Sequence, residues 1–429
     1  MAPYTPQRRP RFFYGWVVVA GGFLNQVLNS GLGYQGFGTF LLHLEREFGW
    51  SKAQLAAARS LMQIENGLMG PVEGVLIDKF GPQKIMQGGM FLFGLGLILL
   101  SYIQTLWHYY DVFWVVAIGM GFGGYLVTIV AINLWFRRRR TLAFSISTLG
   151  LGVGGILVIP LLVWAQQTVG WREAAFASGL ATWAIGIPAG FLLKGAPEQY
   201  GLKPDGESPN QSENVDIAKP SSSREMGPET HFTLGEALRT PAYWLIGLGH
   251  SSSLLVISTV SVHQFAHMEQ GMGISPHFAA LMVGVMNAIN MIGRLSGGIL
   301  GDRFEKRYLC VVGTLGTGLS MIVFALASSM SGALLYASVY GFFWGLRGPL
   351  VESLRADYFG REHYGTIAGT SSLVTMPSSV LSPVFAGYLA DVLGNYIAAF
   401  LILGIGCALG STAFLFVRPP KQPHTFQKQ

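Results

Sequence analysis

Long apolar stretches separated by short polar interruptions dominate the pattern of this chain. About 20 predominantly apolar residues are enough for a helix to cross the hydrocarbon of a bilayer, and twelve such stretches are predicted, over 14–41, 52–77, 84–105, 109–136, 141–168, 171–194, 242–269, 277–301, 306–328, 331–358, 363–390 and 394–417. Ser51-Lys-Ala-Gln54 and Ser275-Pro276 supply starting signals for the second and eighth stretches at matching points. Between 195 and 241 the apolar pattern lapses, and Pro, Ser, Asn, Glu and Lys take over, most plainly from Pro204 to Pro228. That composition predicts a flexible linker. It closes on Thr233-Leu-Gly-Glu236, a capping box for a short surface helix, before Thr240-Pro241 opens the seventh stretch. The reading is an all-α membrane protein of twelve transmembrane helices in two six-helix pseudo-repeats, residues 1–194 and 242–429, joined by a linker over 195–241.

The repeat is visible in the residues. Gly74-Val-Leu-Ile-Asp78-Lys-Phe-Gly-Pro-Gln-Lys84 returns 224 residues later as Gly298-Ile-Leu-Gly-Asp302-Arg-Phe-Glu-Lys-Arg307. The same offset pairs Phe48-Gly49-Trp50-Ser51 with Met272-Gly273-Ile274-Ser275, and an offset of 223 pairs Trp135-Phe136 with Tyr358-Phe359. Duplicated apolar bundles suit a transporter, because two related units can rock about a site held between them.

Composition narrows the class further. With 51% hydrophobic and 12% charged residues in 429, the chain has too much apolar length for a soluble core. Placing both ends in the cytoplasm puts 22 of the 28 Lys and Arg on that side and leaves Arg46, Lys52 and Arg172 outside, with Arg59, Arg294 and Arg347 inside helices. The net charge of +6 therefore reflects topology and does not call for a nucleic-acid partner. The basic start Arg8-Arg9-Pro10-Arg11 leads into an apolar run without an Ala-x-Ala cleavage pattern, so it reads as an uncleaved first helix. Cys310 and Cys407 fall on different helices and read as packing residues. No nucleophile with its base, phosphate loop or metal set is apparent, so neither an enzyme nor a cofactor is expected.

The repeated motif resembles the most widespread signature of the major facilitator superfamily, and its degenerate second copy lies where that family puts it. This resemblance covers nearly the whole chain. Asp78 and Asp302, with Gly74 and Gly298, are expected at the cytoplasmic rim as gate elements, where a carboxylate caps a neighbouring helix N-terminus. Tyr14-Gly15-Trp16, Trp135-Phe136-Arg137-Arg138-Arg139, and Gly293-Arg294-Leu295 with Gly301-Asp302-Arg303 resemble the monocarboxylate transporter and oxalate/formate antiporter branches. Two departures stand out. Asn290 occupies the place where animal monocarboxylate transporters carry an Asp, and residues 363–390 lack the Lys that oxalate/formate antiporters use.

Arg294 is the sharpest candidate for binding. A guanidinium in an otherwise apolar helix needs a partner or a wet cavity, and its planar fork suits a carboxylate; a structural ion pair is the alternative. Asn290 lies one i to i+4 step earlier, on the same face. The resemblance adds Tyr125 from the opposite half, and His263 as a partner for a substrate hydroxyl or a proton site. His263 and His267 also have a metal-chelating spacing, but no further ligand completes a set. Asn25, Gln26 and Asn29 line the cavity or bond neighbouring helices. Arg347 either anchors an anion or pairs with Glu352, Glu65 or Glu73 as part of the gate, and Glu65 near mid-membrane is a second candidate proton carrier. Arg59 is read as structural. The expected function is transport of a small monocarboxylate such as lactate or pyruvate, with protons, by a monomer in a bacterial inner membrane. The alternatives are another organic anion, a drug-like compound, or anion sensing without transport.

Overall fold

The computed structural model of the protein describes residues 12–206 and 231–421. The basic start and most of the predicted flexible linker lie outside them, as does the side chain of Arg59. Regular structure among the described residues is helical and forms twelve rods. They are helix 1 (15–48), helix 2 (Lys52–Phe80), helix 3 (Pro82–Leu100), helix 4 (Leu106–Trp135), helix 5 (Arg140–Thr168) and helix 6 (Trp171–Leu192). After the linker come helix 7 (Pro241–Gly271), helix 8 (Pro276–Gly301), helix 9 (Lys306–Leu326), helix 10 (Met330–Phe359), helix 11 (Tyr364–Leu393) and helix 12 (Ile397–Phe416).

Among the described residues, nine rods are long and apolar enough to cross a bilayer. The other three are helices 1, 2 and 10. They carry buried polar groups: Asn25, Gln26 and Asn29; Glu65 and Glu73; Arg347, Glu352 and Arg355. Polar side chains at membrane depth are tolerated when they face protein or a wet cavity, so the least hydrophobic rods are the ones that build the centre.

Helix starts follow their local chemistry. Ser51 and Gln54 form a reciprocal capping box, as do Thr233 and Glu236 ahead of the short helix Leu234–Leu238. Ser275 differs from expectation in making no side-chain cap; Pro276 fixes the first turn of helix 8 instead. Helix 4 breaks at Gly123 and Gly124, the latter at φ −100° and ψ −134°. Non-helical backbone at membrane depth must be satisfied by neighbours, and helix 1 does this. Asn25 Nδ2 donates to Gly124 O at 3.1 Å and Thr128 Oγ1 at 2.8 Å, while Asn29 Nδ2 donates to Gly123 O at 3.1 Å.

The first and last described residues and the described flanks of the linker lie on one side, here termed the terminal face, and there the first six rods are tied to the last six. Asp78 at the foot of helix 2 accepts from the start of helix 11: Gly365 N at 3.0 Å, Thr366 N at 2.7 Å and Thr366 Oγ1 at 2.6 Å. Asp302 at the foot of helix 8 accepts from the start of helix 5: Thr141 N at 2.9 Å and Leu142 N at 3.1 Å. The repeat thus yields two related latches, each a carboxylate on a helix N-terminus.

Glycine permits both approaches. A Cβ on Gly74 would stand 2.1 Å from Gly365 O, and one on Gly298 would stand 2.5 Å from Ser145 Oγ. Arg140 adds an ion pair to Asp357 at 2.7 Å, and Thr141 Oγ1 donates to Ser353 Oγ at 2.9 Å. Backbone bonds to a carboxylate contribute about 1.5–3 kcal/mol each, so losing one latch shifts the seam's opening equilibrium by roughly tenfold or more. Ser353 is fully buried at this seam, and both native cysteines are buried elsewhere, on helices 9 and 12. A maleimide applied at the terminal face should therefore label Ser353→Cys slowly, and about tenfold faster when Asp302→Ala is added; equal rates would show that Asp302 does not hold the seam.

Candidate functional site

Hydrogen bonds between the two sets of six reach as deep as Ser372 Oγ to Gly67 O, at 2.8 Å. Beyond that level the sets part around a cavity of about 610 Å³. Its wall runs from Glu352 and Arg355 on the terminal side to Tyr34, Gln35 and Ser379 on the other. The cavity is closed at the terminal face and open away from it.

Arg294, Asn290 and Tyr125 share this wall. Arg294 Nε donates to Asn290 Oδ1 at 2.8 Å, one turn away, and Asn290 Nδ2 donates to Gly341 O at 3.3 Å. A neutral amide thus aims the guanidinium without cancelling its charge. The bond uses Nε and leaves the outer edge of the fork for the cavity. Tyr125 opens the second segment of helix 4, immediately after the break that Asn25 and Asn29 support.

The structure places the other candidates elsewhere. Asn29 lies at the contact of helices 1 and 4, whereas its neighbour Gln26 is on the cavity wall. The His263 ring donates through Nε2 to Pro383 O at 2.9 Å and packs on Tyr396, away from the wall. His267 turns instead to Phe324 O at 3.0 Å, so the two rings serve different neighbours. Glu65 is buried behind the wall, and Asp78, Asp302, Gly74 and Gly298 stand at the terminal face.

Arg347, expected either to anchor an anion or to pair with Glu352, Glu65 or Glu73, is hydrogen-bonded to none of these three carboxylates. Glu352 Oε2 accepts from Arg355 Nη1 at 2.6 Å and from the Tyr364 hydroxyl at 2.8 Å. Arg347 lies five residues before Glu352, about 140° around the helix. It packs beside Gly313 of helix 9, where a Cβ would stand 3.0 Å from its own, and its Nε and Nη1 have no hydrogen-bond partner.

Sequence reasoning missed Arg355 as a wall residue, because it was counted with the charges of the following connection. Trp344, Glu352 and Arg355 all line the cavity and recur at helical spacing on helix 10, a signal that was available. His250 of helix 7 also lines the wall, with Nδ1 unbonded. The electrostatics are simple. Arg355 is neutralised by Glu352, while Arg294 faces the cavity with no carboxylate bonded to it.

Comparison with known proteins agrees with this architecture. The family model described as "Major Facilitator Superfamily" matches residues 23–376 and 265–429. Monocarboxylate transporter 13 of Rattus norvegicus is 25% identical over 421 residues, covering 96% of this chain and 90% of that protein. Monocarboxylate transporter 11 of Mus musculus is 28% identical over 435 residues, covering 97% and 90%. Among solved structures, the transporter FucP in its outward conformation superposes with a TM-score of 0.73 at 16% identity, covering 95% of this chain and 100% of that one. The human organic anion transporter MFSD10 gives 0.70 at 13% identity, covering 96% and 100%. These two likenesses speak to the fold alone. Family match, relatives and twelve-rod architecture converge, and the chain belongs to the Major Facilitator Superfamily, as a membrane transporter and not an enzyme.

Proposed function

We propose that this transporter carries a small monocarboxylate, of the lactate or pyruvate kind, together with a proton, by alternating access in a bacterial inner membrane with both termini in the cytoplasm. The observation that carries the reading is Arg294. Of the two wall arginines it alone is held by a neutral side chain, so the wall offers one uncompensated positive charge for one carboxylate. The carboxylate docks on the fork, with the Asn290 amide fixing its plane and the Tyr125 phenol donating from the opposite set of helices. The relatives' names support the class of cargo, and the distribution of Lys and Arg supports the orientation. The two latches close the cytoplasmic side while the site is open outward, and breaking them exposes the same site inward.

The cavity volume favours a second reading, a larger organic anion, because about 610 Å³ falls in the range of sites for drug-sized ligands. The deciding experiment is uptake of labelled L-lactate into proteoliposomes under an inward acid gradient. Wild type should accumulate it and Arg294→Ala should not; absence of wild-type uptake, with uptake of a larger aromatic carboxylate instead, selects the second reading. Arg294→Lys keeps the charge and loses the fork, so KM should rise about tenfold or more for loss of charge-assisted bonds worth about 1.5–3 kcal/mol. Tyr125→Phe removes one charge-assisted hydrogen bond of about 1.5–3 kcal/mol and should raise KM about tenfold or more. An unchanged KM in Tyr125→Phe would remove that residue from the site.

A further inference from the structure

We infer that Glu65 and Glu73 of helix 2 together form a two-carboxylate proton site facing Gly121 of helix 4, and that this pair couples the anion on Arg294 to protons; the coupling rests on the monocarboxylate reading above. Glu65 is 2% exposed and neither carboxylate oxygen has a hydrogen-bond partner. Glu73 is 5% exposed and its Oε1 has none. The residues are eight apart, two turns plus about 80°, so they leave helix 2 from adjoining faces. Both reach the notch left by the missing side chain of Gly121. A Cβ there would stand 2.1 Å from Glu73 Oε1 and 3.3 Å from Glu65 Oε1.

Two carboxylates this close, out of water and without a paired cation, cannot both be ionised. The groups around them do not change that conclusion. Helix 1 presents the Tyr34 phenol to both carboxylates. Helix 4 adds Tyr125, one turn beyond Gly121. Helix 3 has no titratable side chain between Lys84 and Leu100, and helix 11 has none between Tyr364 and Tyr388. On helix 2 itself, Asp78 is bound to helix 11, and the side chain of Arg59 lies outside the described set. Across the cavity stand Arg294, His250 and the Arg355–Glu352 pair, with the buried guanidinium of Arg347 on helix 10 off the wall.

Glu73 belongs to the cavity wall while Glu65 lies behind it, so a proton entering from the open side meets Glu73 first. Coupling then follows from charge. With one proton the pair carries −1, and with two it carries none, while Arg294 and the buried Arg347 each carry +1 and the Arg355–Glu352 pair nothing. Arrival of the anion together with a second proton therefore leaves the net charge of the site as it is when empty, whereas either one alone changes it by one. A carrier that must close both empty and loaded does so at the same buried charge only when the two travel together, which is symport of one proton per anion.

The test uses the full chain in proteoliposomes with the membrane potential held at zero and a gradient of one pH unit, acid outside. Such a gradient is worth 1.36 kcal/mol per proton and supports about tenfold accumulation at one proton per anion. Wild type should approach that level with labelled L-lactate. Glu65→Gln and Glu73→Gln should fall to about onefold while still exchanging lactate between preloaded and external pools, and Glu73→Asp, which restores an ionisable group, should recover accumulation. Tenfold accumulation by both Gln variants overturns the coupling role. Infrared difference spectra between acid and alkaline pH examine the pair without any substrate. A protonated-carboxyl band present in wild type and lost or shifted in each Gln variant supports the site, and a band unchanged in both overturns it. If wild type takes up no lactate, the monocarboxylate reading fails while the infrared result still decides the proton site.

Discussion

The carboxylates of Asp78 and Asp302 each hold the opening turn of a helix from the other set of six, and the cavity has its present form because they do. A helix N-terminus presents backbone N–H groups that no residue of its own helix accepts, together with a partial positive charge. At the rim of a membrane bundle, a buried carboxylate answers both needs. Because the motif is duplicated, the solution appears twice, on helices 2 and 8 against helices 11 and 5. With the terminal face shut, separation of the sets beyond Gly67 and Ser372 becomes a cavity and not a channel.

Inside that cavity the chain arranges its polar groups by what they must leave free. Asn25 and Asn29 are consumed in supporting the break of helix 4, and Arg355 is consumed by Glu352 and, through it, Tyr364. Arg294 is oriented by an amide that takes none of its charge. This division of labour leaves one guanidinium facing the cavity from the last six helices and a phenol from the first six, with Glu73 on the wall and Glu65 behind it. The seams, the break and the carboxylate notch each depend on glycine: Gly74 and Gly298 for the seams, Gly123 and Gly124 for the break, Gly121 for the notch.

Much of this was legible before any coordinates. The run of apolar stretches pointed to twelve spans, nine of which are apolar enough on their own, and the repeated Gly74…Asp78 pattern pointed to rim carboxylates capping helices. The i to i+4 spacing of Asn290 and Arg294 put them on one face, and that relation depends on nothing outside helix 8. Other relations were less legible. That Arg355, and not Arg347, bonds Glu352 follows from helical phase along helix 10. The partner of His263, a carbonyl of helix 11, depends on how two helices lie against each other, which no local pattern states. Glu65 was visible as a mid-membrane acid, but its relation to Glu73 needs Gly121 from a different helix.

The two latches are related but unequal. Asp78 takes three hydrogen bonds and sits beside a glycine contact continued deeper into the bundle, where a Cβ on Gly70 would stand 2.6 Å from Gly369 O. Asp302 takes two. Helix 5 adds the Arg140–Asp357 ion pair and the Thr141–Ser353 hydrogen bond to helix 10, so one seam is held by close glycine packing and the other by side chains that reach across it. A duplicated motif has thus been given two different fastenings, and the two edges of the bundle answer to different forces: one to anything that wedges backbones apart, the other to anything that competes for charge.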